Sequence, residues 1–278
     1  MTALVHTRGD LARLTTHPIA VVMTMGALHE GHAELMRRAR TEIGPEGVVV
    51  VTDFVNPLQF GAGEDFDRYP RTLDADVALC AEAGVDVVYA PDVAEVYGPG
   101  FPDVPRVTID AGPIGTILEG AARPGHFSGM LTVVGTFLHL TGPDVALFGE
   151  KDYQQLVLIR HMVDQLRFPT RVVGVPTVRE PDGLAMSSRN RYLSADDRAI
   201  AACIPAALRE TVRVTAESGA AAGEAAGRAL LAEGIDLDYL VVTDEALGAP
   251  NPGPGRALIA ARVGRTRLID NLPCTVPA

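Results

Sequence analysis

The chain is 278 residues long, 47% hydrophobic and 21% charged, the make-up of a globular protein with a real core; collagen-like, disordered and coiled-coil classes are excluded. At about 150 residues per domain, one large domain or two smaller ones are expected. A formal net charge of -11 argues against nucleic acid or another polyanion as main partner, while leaving room for a local phosphate site.

Short β-branched runs alternate with helical periodicity through the first two-thirds. Residues 19–25 (IAVVMTM) read as a buried strand, followed by a turn and a helix over 31–43. Residues 47–54 form a second strand, 73–83 a helix and 85–90 a third strand. A helix over 127–140, a strand over 144–148, an amphipathic helix over 153–166 and a strand over 171–175 follow. Continuous apolar strands between helices predict a parallel sheet covered on both faces. After Pro176 the pattern changes. Ser194 with Asp197 resembles a capping box opening a helix to about Ala216. The Ala/Gly-rich stretch 219–234 reads as a further helix, residues 248–255 as a loop, and 237–243, 257–263 and 266–269 as short strands. The expected organisation is an α/β domain over 1–176, a Rossmann-like doubly wound parallel sheet, and a smaller α+β domain over 177–278.

Cys80, Cys203 and Cys274 are far apart and show no C-x-x-C spacing, which suits a reducing compartment rather than a disulfide framework. The first residues carry charges where a signal peptide needs an apolar core. No apolar run approaches the roughly 20 residues that span a bilayer. A cytoplasmic protein without a membrane partner is expected.

Four stretches carry candidate chemistry. Residues 23–32 (MTMGALHEGH) follow a buried strand and open a helix, at the carboxyl end of a strand where α/β sheets bind ligands. Gly26 lets the backbone turn and approach a ligand closely. The helix starting near Gly31 is expected to aim free N–H groups and its positive dipole end at an anion. His29 and His32, at i,i+3, can point at one phosphate-sized target. A zinc site is the competing reading, although HEGH lacks the H-E-x-x-H spacing; two incidental surface histidines are another. Residues 54–60 (FVNPLQF) offer the amides of Asn56 and Gln59 at a second strand end, or only a structural turn.

The 24 basic residues comprise 23 Arg and one Lys, Lys151. It lies in GEKDYQQL (149–156), with Asp152 expected to cap the next helix and Gln154 and Gln155 in its first turn. A Lys at a helix start faces the wrong end of the dipole, which favours an anionic partner, although a solvated lysine remains the plain alternative. Finally, GLAMSSRNRYL (183–193) supplies the hydroxyls of Ser187 and Ser188 and the guanidinium fork of Arg189 for phosphate oxygens. Gly183 is expected to serve as a hinge for a closing loop, against the alternative of an ordinary polar turn.

In this order and spacing, MGALHEGH, FVNPLQF, GEKDYQQL and DGLAMSSRNRYL resemble the pantothenate synthetase (pantoate–β-alanine ligase) family, and RLIDN (267–271) is similar too. HEGH by itself indicates only the wider nucleotidyltransferase superfamily with its HxGH signature. The resemblance implies a homodimeric enzyme with a Rossmann-like N-terminal domain and a C-terminal lid, using ATP and Mg²⁺. It implies that pantoate attacks the α-phosphate of ATP, and that β-alanine then displaces AMP from pantoyl adenylate. Carried over by residue, Met25, Gly26, Ala27, Leu28, His29, Glu30, Gly31, His32, Gly149, Glu150, Lys151, Asp152, Val178, Met186, Ser187, Ser188 and Arg189 line the ATP site. Gln59 and Gln155, with Asn56, hold pantoate and β-alanine. His32 is implied as a general acid, with His29 and Lys151 as catalytic partners; no protein ligand of a metal is identified.

Three positions depart from the family pattern. Met23 stands where Pro is common, Asp53 replaces an apolar residue and needs a partner or a raised pKa, and Thr136 stands where Lys is frequent. Two other readings remain: an HxGH nucleotidyltransferase with a different acceptor, and a nucleotide-binding regulatory module without catalysis. FVNPLQF and GEKDYQQL weigh against the first, His32 and Lys151 against the second.

Overall fold

Two elements near the N-terminus, β1 (Ala3–Val5) and α1 (Arg8–Leu14), are too short to show a period in the sequence. β2 (Ile19–Thr24), α2 (Glu30–Ile43), β3 (Val48–Asp53), α3 (Leu73–Glu82) and β4 (Val87–Tyr89) follow. After the short helices α4 (Val93–Tyr97) and α5 (Glu119–Ala122) come α6 (His126–Thr141), β5 (Val145–Gly149), α7 (Tyr153–Gln165) and β6 (Arg171–Val175). The computed structural model describes residues 2–15, 18–61, 66–104 and 106–278. They divide into two compact units, one of residues 1–150 and 158–175 and the other of residues 151–157 and 176–278.

The first unit holds a parallel six-stranded sheet of order β1-β4-β3-β2-β5-β6. Its central strands β2 to β5 read as apolar runs because both faces are covered: Ala20, Val21 and Val22 are fully buried. Ala20 and Val22 pack with Ala33, Met36 and Ala39 of α2. Aromatic edges meet around α6, with Phe137 5.7 Å from Phe54 and 6.0 Å from Tyr89 between ring centroids. Strand order reverses between β2 and β5, so the chain leaves both strands beside the crevice that doubly wound sheets use for ligands.

The second unit contains α8 (Ala195–Ala201), α9 (Cys203–Ser218), α10 (Ala220–Ala229) and an antiparallel sheet of β7 (Ile235–Asp244), β8 (Gly253–Val263) and β9 (Thr266–Val276). Ser194 caps α8, its Oγ accepting from Asp197 N at 3.1 Å, but the single helix expected to Ala216 is broken at Ala202. Pro205 explains the break, because in a continuous helix its ring would press on the Ala201 carbonyl. The loop expected over 248–255 is shorter, since Gly253 already begins β8. α10 lies on α9 through glycine: a Cβ on Gly223 would stand 2.0 Å from Thr215 Oγ1, and one on Gly227 2.0 Å from Thr211 Oγ1. Leu184, Ile204, Leu208, Leu240 and Ile259 form the core between helices and sheet. Among the described residues no helix is long and apolar enough to cross a membrane.

Candidate active site

β2 ends at Thr24, whose hydroxyl donates to Thr52 O at 2.7 Å and accepts from Gly26 N at 3.2 Å. The chain then reverses through Gly26 (φ 75°) and Ala27 (φ 51°). A non-glycine residue in that region is costly unless its surroundings enforce it. Here Asp76 of α3, 2% exposed, enforces it by accepting from Ala27 N at 3.0 Å and Leu28 N at 2.8 Å. These amides therefore face Asp76. Asp76 itself lies outside every motif, and nothing in its local sequence marks it.

His29 is the N-cap of α2. Its Nδ1 accepts from Gly31 N at 3.2 Å, and His32 Nδ1 accepts from His29 N at 3.2 Å, with the rings 4.1 Å apart. This is a capping box in which imidazoles replace the usual hydroxyl and carboxylate. The expectation of a free Gly31 N–H is corrected, since His29 occupies it. An accepting Nδ1 puts the proton of a neutral ring on Nε2, which gives each histidine a defined donor atom.

The stretch after β3 is built around Asn56, 1% exposed. Its Nδ2 donates to Gln59 Oε1 at 3.0 Å and to Gly129 O at 3.1 Å, while Oδ1 accepts from Tyr97 OH at 2.6 Å and Leu58 N at 3.2 Å. Asn56 is thus fully occupied in orienting Gln59. The amide nitrogen of Gln59 has no partner among the described residues, so it can serve a ligand. The Gln59 carbonyl is held in turn: His126 Nδ1 donates to it at 2.9 Å and Arg123 Nη2 at 3.3 Å, and His126 Nε2 accepts from Arg123 Nη1 at 3.1 Å. Gly129 allows this turn to sit on α6, because a Cβ there would lie 1.9 Å from Leu58 O. Arg123, His126 and Gly129 were silent in the sequence; no short motif contains them.

Gly149 ends β5 and Glu150–Asp152 form a 3-10 turn leading into α7. Asp152 ends that turn immediately before α7, and its Oδ2 faces Lys151 Nζ at 3.8 Å. Within the second unit the backbone here is anchored from β9 and β8. Asn271 Nδ2 donates to Lys151 O at 2.9 Å, Asn271 Oδ1 accepts from Arg256 Nε at 2.7 Å, and the Arg256 guanidinium lies 4.2 Å from the Tyr153 ring centroid. RLIDN thereby acquires a task. Asp270 binds Arg179 through two oxygens, at 2.7 and 3.0 Å. Gln154 is buried, whereas Gln155 is half-buried.

Val178 and Met186 are joined by Met186 N donating to Val178 O at 2.9 Å, with a bridge between Arg179 and Ala185. Gly183 (φ 89°) makes the tight turn of that hairpin, its N–H donating to Glu180 O at 2.8 Å. Ser187 Oγ accepts from Arg189 N at 3.2 Å and caps a 3-10 turn over Ser188–Tyr192. The Arg189 guanidinium is exposed and unpaired among the described residues.

Of the three departures, Met23 pairs with Thr52 inside an unbroken β2. The Thr136 hydroxyl folds back onto Thr132 O at 2.8 Å. Asp53 meets Asp76, and burial followed by that neighbouring carboxylate pushes its carboxyl up to about 6.

A family model described as pantoate-beta-alanine ligase matches residues 2–273. A pantothenate synthetase of Salinispora arenicola is 55% identical over 280 residues, covering 98% of this chain and 97% of that protein. The crystal structure of pantothenate synthetase from Thermus thermophilus superposes with a TM-score of 0.89 at 46% identity, over 98% of this chain and 99% of that one. The pantoate-beta-alanine ligase of Francisella tularensis, complexed with beta-gamma ATP and beta-alanine, gives 0.78 at 35% identity, over 98% and 97%.

Proposed function

The chain belongs to the pantoate–β-alanine ligase family and is such a ligase, and from that premise we propose that it works in two steps through an acyl adenylate. A pantoate carboxylate oxygen attacks the α-phosphorus of ATP and pyrophosphate leaves. The β-alanine amine then attacks the acyl carbon of pantoyl adenylate, loses a proton, and AMP departs. The substrate itself is the nucleophile, so no activated Ser or Cys is required, and catalysis consists of positioning and charge stabilisation.

In this reading Met25–His32, Gly149–Asp152, Val178 and Met186–Arg189 serve ATP. Gln59 and Gln155 hold pantoate, with Gln59 also facing β-alanine. The observation that carries the reading is Gln59: its oxygen is tied to Asn56 and its NH₂ has no protein partner among the described residues, the condition of an amide kept for a ligand. The Nε2–H groups of His29 and His32 and the ammonium of Lys151 meet charge that grows on phosphate oxygens, His32 acting as general acid. The assignment of Asn56 to substrate becomes that of a residue acting through Gln59.

Among the described residues no group of three or more His, Cys, Asp or Glu is arranged to hold a metal ion. Mg²⁺ in this reading would come bound to ATP and would supply charge neutralisation there, with no ligand set required from the protein. The same reading has the enzyme as a cytoplasmic homodimer, with residues 1–176 as the nucleotide and pantoate domain and 177–278 as a lid. Exchange of labelled pyrophosphate into ATP tests the chemistry: it should require pantoate and proceed without β-alanine. Exchange with another carboxylic acid and none with pantoate would sink the assignment.

A further inference from the structure

Asp53 ends β3 directly beneath the turn that follows β2. A Cβ placed on Gly26 would lie 2.6 Å from Asp53 Oδ1 and 3.2 Å from Asp76 Oδ2, so two carboxyl groups close on one point of the turn. Asp76 is already an acceptor three times over, from Ala27 N, Leu28 N and, at 2.9 Å, Thr72 Oγ1. Asp53 Oδ1 and Asp76 Oδ2 thus approach the same point, where one shared proton would bond the two carboxyls. The donors around Asp76 leave that proton to Asp53.

We propose that Asp53 is a positioning residue for the Met25–Leu28 turn: protonated, it donates to Asp76 and fixes the anchor of Ala27 and Leu28; ionised, it repels Asp76 and slackens that anchor. The proposal rests on the assignment of this turn to ATP only for its consequence in catalysis. The structural coupling stands on the meeting of the two carboxyls at Gly26 and on the bonds of Asp76 to Ala27 N and Leu28 N.

The titratable groups that face the pair are few. From α3 come Asp76 and Cys80, whose thiol is pushed up to about 12 by burial first and then by Asp53 and Asp76. The turn after β2 contributes only the uncharged Gly26 backbone. On β4, Tyr89 couples to Glu95, Arg8 and Asp92 rather than to Asp53. Because the Asp53 carboxyl is raised to about 6 in the folded chain, the stabilisation it provides is complete below about pH 4 and is lost as pH rises through about 6.

The test is amide hydrogen exchange at Ala27 and Leu28 in the full-length protein and in Asp53→Asn, which keeps an N–H donor to Asp76 and cannot ionise. Between pH 5 and 7.5 the protection of both amides in the natural chain should fall by about tenfold beyond the intrinsic rise in exchange rate, with the KM for ATP rising and kcat unmoved. Asp53→Asn should show flat protection and a flat KM. Asp53→Ile, which has neither charge nor donor, should be flat with pH but less protected than Asp53→Asn. Identical pH profiles in the natural chain and both variants would overturn the proposal. Loss of pantoate-dependent exchange at every pH would overturn the ligase mechanism instead, leaving the exchange result to decide the role of Asp53.

Discussion

The side-chain amide of Asn271 donates to the backbone carbonyl of Lys151 at 2.9 Å. It ties the only lysine of the chain to the last strand of the second unit, and Arg256 braces the amide from the other side at 2.7 Å. Asn271→Ala should lower pyrophosphate exchange roughly tenfold, because the bond lost and the Arg256 donor stranded are each of order 1 kcal/mol or more. Asn271→Asp, which cannot donate to the carbonyl but still accepts from Arg256, should recover thermal stability without recovering exchange. Full exchange in Asn271→Ala would show that Lys151 needs no such brace.

Lys151→Ala and His32→Ala should each reduce exchange by at least ~100-fold, the scale of a lost charge-stabilising or proton-donating group. Their effects on folding should differ. Lys151 contributes only a 3.8 Å approach to Asp152, so its melting temperature should stay put. His32→Ala also removes the acceptor of His29 N, which should cost about 0.5–2 kcal/mol in chemical denaturation. Near-normal turnover in either variant would remove that residue from the mechanism.

Gly129→Ala tests the seat of Gln59. The new Cβ would fall 1.9 Å from the Leu58 carbonyl and displace the turn, so stability should drop by about 1–3 kcal/mol. The KM for pantoate should rise more than that for ATP, whose assigned residues lie elsewhere. An equal rise in both would mean that the turn supports the whole site rather than one substrate.

Gly227→Ala looks favourable by helix propensity, which prefers Ala over Gly by about 1 kcal/mol. The contact predicts the opposite, because the added methyl would meet Thr211 Oγ1 at 2.0 Å and Leu240 Cδ2 at 2.8 Å. A net loss of roughly 1–3 kcal/mol is expected in urea denaturation. A gain would show that α9 and α10 separate at little cost.

The central strands β2 to β5 were legible because they are buried on both faces, so apolar composition carries the signal. β1 and α1 were not, since three and seven residues are too few for a period. The break at Ala202 depended on weighing Pro205 against a long helical pattern. The candidate site was legible where its residues are contiguous: residues 25–32, 54–60, 149–156 and 183–193 each follow a strand or open a turn.

Fold class and family were therefore readable from the order of residues, which also nominated the side chains proposed to meet a phosphate or a carboxylate. Their supports came only with folding, because Asp76 with Ala27, Gly129 with Leu58, and Asn271 with Lys151 are separated by 49, 71 and 120 positions. A hydrogen bond or steric contact across that distance leaves no local pattern. Asp53 shows the difference most clearly. As a residue it is an acidic intrusion among apolar neighbours; folded, it meets the carboxyl of Asp76 at Gly26, in the turn that leads to His29 and His32.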